Sequence, residues 1–209
     1  MNLLSSFLSR LLFAIFISGL SLAAKSSENI ELQPTPLMQQ ETKWLVQALQ
    51  QAHFNKVSIR ELNPEEFIES YLSKLDRLKL YFTKADYKSF SSKFSPTLIT
   101  FFEQGNLFPG FEIYNFYKTK SLTRLEWVTN FLDEEFEFES NRTYFTNRED
   151  GPWDENDGQL DETWKKLIEF EILSEALSTV DTNSTDDIYE NGELSKIIEN
   201  SKEKVRKRY

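Results

Sequence analysis

The 209-residue chain carries 24 Lys+Arg against 34 Asp+Glu, a formal net charge of -10, and has no cysteine. That acidity disfavours nucleic acid or an anionic membrane as partner. Without disulfides the stability must come from a hydrophobic core, and the length suits one domain able to build it.

Residues 1–23 read as a cleaved signal peptide, because Arg10 precedes the apolar run Leu11 to Leu22 and small residues follow. Cleavage is expected before Ala24. The run is short for a transmembrane helix, so no membrane association is expected once it is removed. No cysteine follows it to carry a lipid anchor. Residues 24–36 are polar, contain Pro34 and Pro36, and read as an arm that orders on contact.

The remainder, residues 37–209, is expected to be one all-α, irregular multi-helix domain. A first helix is expected from Leu37 to His53 with Trp44, Leu45, Ala48 and Leu49 inward. The next begins at Asn63, a capping residue followed by Pro64 and by Glu66 in a capping-box position. Its side Phe67, Tyr71, Leu72, Leu75 and Leu78 has helical spacing. Thr83 with Asp86 caps a short helix bearing Tyr87 and Phe90; Ser95-Pro96 begins another, and Gly105 is placed to end it.

Phe108 to Lys120 is rich in aromatics, and Ser121 is read as the cap of a helix with Leu122, Leu125, Val128, Phe131 and Leu132 inward. The stretch from Glu134 to Asp150, with Phe136, Phe138, Tyr144 and Phe145, either extends that helix or crosses the surface. Arg148 to Gly158 reads as a loop. Leu160, Trp164, Leu167, Ile168, Leu173 and Leu177 mark another helix. Val180 to Thr185 is a polar break, and a last helix runs from Asp187, with Ile197, Ile198, Val205 and Tyr209 as its apolar side.

Candidate chemistry is sparse. His53 is the single histidine, so a Ser-His-acid triad would depend on it, and its place near a helix end favours a role in solvent or at the helix dipole. Asp154, Glu155, Asn156 and Asp157 offer oxygen ligands, but the spacing is not that of an EF-hand, and a solvated turn is preferred. Ser73 and Lys74 are helix neighbours whose side chains diverge. The aromatics from Trp44 through Tyr81, Trp127 and Trp153 to Trp164 read as core packing ahead of a peptide groove. Asn141-Arg142-Thr143 and Asn183-Ser184-Thr185 match glycosylation sequons, a short and frequent pattern. No residue is assigned a catalytic, cofactor-binding or metal-binding role, and no cofactor is expected.

The stretch FIESYLSKLDRLKLYFTKADYKSF, Phe67 to Phe90, resembles the opening helices of tail-specific proteases, also called carboxy-terminal processing serine peptidases. Phe111 to Tyr117, Phe136, Phe138, Arg148, Gly151-Pro152-Trp153, Leu160, Asp161 and Trp164 follow in the family's order. Gly151 and Asp154 depart from the family's "APWP" pattern, and Lys207-Arg208-Tyr209 resembles its "KRY". The resemblance covers Leu62 to Leu177 and that terminal triplet.

The resemblance implies an exported, periplasmic or secreted protein of a bacterial envelope. It also implies a non-catalytic helical scaffold or interaction region, since the family's catalytic Ser and Lys belong to regions beyond the residues matched. The expected partner is a protein, whether protease, adaptor or substrate polypeptide. A truncated or split family member and a self-standing binding module are the two forms expected.

Overall fold

Capping chemistry sets several helix starts. Asn63 Oδ1 accepts the amides of Glu65 and Glu66 at 3.0 and 3.4 Å, and Asn63 Nδ2 donates to the Glu66 carboxylate at 3.0 Å. Thr83 and Asp86 form a reciprocal capping box. The computed structural model describes residues 31–52, 58–136, 138, 141–179 and 193–209.

Among them the chain is all-α, with seven α-helices and one 3-10 turn, Ile59–Glu61, and no strand. In chain order the helices are α1 (Pro36–Ala52), α2 (Pro64–Leu75), α3 (Lys84–Phe94), α4 (Leu98–Glu103), α5 (Phe108–Phe131), α6 (Asp157–Thr179) and α7 (Glu193–Arg206). No helix among the described residues is long and apolar enough to cross a membrane.

Two core clusters lie along α5. The first joins α1 to α4 with the front of α5, around Phe67, Leu72, Phe82, Phe94, Phe102 and Ile113, and it takes in Trp153. The second joins the rear of α5 to α6 and α7, around Val128, Leu132, Leu160, Trp164, Ile168 and Val205. Removing this apolar area from water is the main favourable contribution to folding. Gly105 closes α4 with φ +67°, and a Cβ there would collide with the Gln39 carbonyl of α1. Its bare backbone lets α1 approach α4, so glycine is required twice over.

Several expected faces are corrected. Trp44 is 77% exposed and Ala48 is outward, because α1 packs through Thr42, Val46 and Leu49. Leu78 is exposed because α2 ends at Leu75, which is itself only partly buried. Pro96 does not begin α4, which starts at Leu98. Ser121 caps nothing: it lies inside the continuous helix α5, which runs to Phe131. One serine in a helix interior costs only a fraction of a kcal/mol, and burial of both halves overrides it.

Phe136, Phe138 and Tyr144 pack onto the second cluster from a surface crossing rather than from a longer helix. The break at Arg148 to Gly158 ends early, since α6 already begins at Asp157. On α6 the buried line is Leu160, Trp164, Ile168, Ile172 and Ala176, while Leu173 and Leu177 turn outward. The second core approaches along the i, i+4 row, which leaves those two leucines off its axis. On α7, Ser201, Lys202 and Val205 are buried and Ile197 and Ile198 partly so. His53 and the break from Val180 to Thr185 lie outside the described residues.

The aromatic cores make stability sensitive to alkali. Burial pushes the phenols of Tyr71 and Tyr209 well above the ordinary 10.0, with the nearby Glu171 adding to the effect at Tyr209. Tyr81, Tyr117 and Tyr144 shift the same way, mainly through burial. The folded chain therefore keeps protons that the unfolded chain releases. Their stabilisation is complete below pH 10 and is lost as pH rises past it, at about 1.4 kcal/mol per pH unit for the deeply buried Tyr71 alone. Urea melts at pH 8 and pH 11 should show this fall.

Candidate functional site

The residues Asp76 to Asp86 leave α2, turn and enter α3, and three consecutive amides of the turn are satisfied by one carboxylate. Asp76 is 2% exposed; its Oδ1 accepts the Leu80 amide and its Oδ2 accepts the Tyr81 and Phe82 amides, each at 2.8 Å. Burial pushes this carboxyl up, opposed by the three amides and by the Arg148 guanidinium. Lys79 at the turn's apex has φ 54°, a left-handed conformation that costs a non-glycine residue roughly 1 kcal/mol.

The later motif segment folds back onto this turn. Arg148 donates to the Leu78 and Lys79 carbonyls at 3.1 and 3.0 Å and pairs with Asp154 at 2.9 Å. Lys79 Nζ donates to the Glu149 carbonyl at 2.8 Å and to the Gly151 carbonyl, and it lies over the Trp153 ring. The Lys84 amide bonds the Asp154 carbonyl at 2.8 Å. Trp164 Nε1 donates to the Leu80 carbonyl at 2.5 Å, with Tyr81 edge-on against its ring. Leu-Asp, Lys, Phe, Arg, Gly-Pro-Trp and Trp, scattered over about ninety positions, thus meet in one partly buried, hydrogen-bonded knot.

A family model described as the tail specific protease N-terminal domain matches residues 45–209. The chain belongs to that family. In this member of the tail-specific protease N-terminal domain family, the residues that carry the resemblance join the two cores to each other. The departure at Asp154 has a local role, since its carboxylate neutralises Arg148 and its carbonyl holds the start of α3. The terminal Lys207-Arg208-Tyr209 returns to α6: Arg208 pairs with Glu175, and the Tyr209 hydroxyl donates to Glu171 at 3.1 Å while its ring meets Trp164.

Beside the knot lies a surface groove of about 320 Å³, walled by Tyr81 and Trp127 and floored by Leu160. Lys120 bridges Asp86 and Asp157 at 2.6 and 2.8 Å along its edge. Arg124 pairs with Asp161 at 2.7 Å, and its guanidinium carbon lies 5.0 and 5.5 Å from the rings of Trp127 and Trp164. These cations are balanced by carboxylates, so the groove offers aromatic surface with ordered, paired charge.

The acidic run considered as a metal loop is divided among separate tasks. Asp154 pairs with Arg148, Glu155 with Lys84 and Asp157 with Lys120, while Asn156 Oδ1 accepts the Gln159 amide in the first turn of α6. Lys74 Nζ contacts Ser70 Oγ at 3.4 Å, one turn back along α2. Sequence reading placed Arg148 in the motif order without its role and passed over Lys120, Arg124 and Asn115.

Lys79 supplies a two-variant comparison. Alanine and glycine both delete the Nζ bonds and the contact with Trp153, but glycine adopts φ 54° without a Cβ penalty. Lys79→Ala should therefore be less stable than Lys79→Gly by about 1 kcal/mol, with both below the parent, as read from denaturant midpoints.

Proposed function

We propose that the chain acts as the non-catalytic, exported scaffold region of a tail-specific protease, working in the bacterial envelope and making contacts with protein partners. The observation that carries this reading is the convergence of the family's motif residues on a partly buried, hydrogen-bonded knot. Side chains such as Asp76, Arg148 and Trp164, whose polar atoms are engaged in holding two cores together, are suited to support and poorly suited to attack a peptide bond. The groove beside the knot, with its aromatic walls and paired charges, has the make-up of a polypeptide contact surface.

Peptide hydrolysis by the purified chain, alone and mixed with a chain carrying the serine-protease region of a family member, tests the proposal. No cleavage alone and a stable complex with the protease-bearing chain is the expected result. Hydrolysis by the chain alone, with labelling by a serine-reactive probe, would overturn it.

A further inference from the structure

We infer that the Asn115 carboxamide forms a main-chain seat for an extended polypeptide segment, now taken by Leu32 of the chain's own arm, with an apolar pocket one helical turn away along α5. The Asn115 carboxamide, on the middle of α5, donates through Nδ2 to the Leu32 carbonyl at 2.8 Å and accepts the Leu32 amide through Oδ1 at 3.0 Å. A side-chain amide that takes both main-chain groups of one residue imitates the edge of a neighbouring strand. It reads backbone only, so any residue except proline satisfies it.

The seated segment contributes little through its side chains. Glu31, Gln33 and Thr35 are exposed, and Leu32 and Pro34 are partly buried, the alternation of an extended strand. Asparagine is a weak helix former, and its presence inside α5 is a local conflict that the clamp accounts for. One turn earlier on α5, Phe111 lines an apolar pocket shared with Tyr71, Pro109 and Gly110, and the chain's own Met38 borders it. The seat therefore combines a main-chain clamp with an apolar socket, a pairing that suits an extended partner segment carrying spaced apolar residues. The internal arm occupies it through tethering to α1, which raises its local concentration without strong contacts. The inference stands apart from the scaffold proposal, since it rests on the clamp and pocket alone.

The test uses the full chain and a fluorescent, end-blocked peptide of sequence Glu-Leu-Gln-Pro-Thr-Pro. Leu32→Pro removes the amide that the internal arm donates and should strengthen peptide binding, read by anisotropy, by about tenfold over the parent chain. Adding Asn115→Leu to Leu32→Pro should abolish that gain, as should N-methylation of the peptide's leucine. Circular dichroism checks the fold of each variant, and Asn115→Asp, which keeps the acceptor and loses the donor, serves if the leucine variant fails to fold. Binding unaffected by Leu32→Pro, or equal with and without the Asn115 amide, would overturn the inference. So would a concentration-dependent dimer of the parent chain that Asn115→Leu dissolves, since a second copy's arm would then be the occupant.

Discussion

Replacing Asp76 with alanine is expected to cost about 3 to 6 kcal/mol, enough to leave much of a marginally stable domain unfolded at ordinary temperature. The figure follows from the amides of Leu80, Tyr81 and Phe82, all bonded to this carboxylate at 2.8 Å inside the knot. A stranded buried amide costs roughly 1 to 3 kcal/mol; alanine strands three at once, but the Tyr81 amide is only partly buried and the desolvation of the carboxylate itself is relieved, which keeps the total below the simple sum. Asp76→Asn keeps one acceptor oxygen but turns an NH2 group towards at least one amide, so its loss should be intermediate. Urea denaturation followed by far-UV circular dichroism ranks the parent, Asn and Ala forms. An alanine variant within about 1 kcal/mol of the parent would mean that the turn is held by other contacts.

Trp164→Ala is expected to cost about 3 to 5 kcal/mol, the range for deleting a large buried aromatic side chain. The residue is 1% exposed, and it ties together parts distant in sequence: the Leu80 carbonyl, the Tyr81 ring, the Arg124 guanidinium and the Tyr209 ring. Trp164→Phe retains most of the packing and removes the Nε1 donor, so it should lose only about 1 kcal/mol plus the cost of the unbonded carbonyl. Tyr209→Ala should be less than additive with Trp164→Ala, because the two rings share one contact. Thermal melts of the four combinations measure that coupling, and strict additivity would place Tyr209 outside the anchoring of α7.

The two substitutions also separate what sequence makes legible from what it hides. Asn63, Thr83 with Asp86, and Gly105 announce their helix ends in sequence, because a cap is an interaction over two or three residues and its chemistry is written locally. The family order of motifs was legible too. Asp76 and Trp164 stood in it, but nothing local says that one carboxylate receives amides four to six residues ahead, or that an indole reaches the Leu80 carbonyl 84 positions back.

The errors have the same origin. Ser121 is a good cap by composition, and Trp44, Leu173 and Leu177 are apolar at helical spacing; each was misread because the direction from which the neighbouring core approaches decides which row of a helix is buried. Asn115 was invisible for a related reason, since its partner, Leu32, lies 83 residues away and offers only main-chain groups that leave no mark in sequence. By itself the sequence determined the helical class and the capped helix ends, which periodicity and short-range hydrogen bonding set, and its motif order carried the resemblance to the family. The tertiary structure alone decided the burial of each helix row, the knot that joins the two cores and the clamp on the arm, because these depend on long-range contacts between groups that propensity and spacing cannot pair.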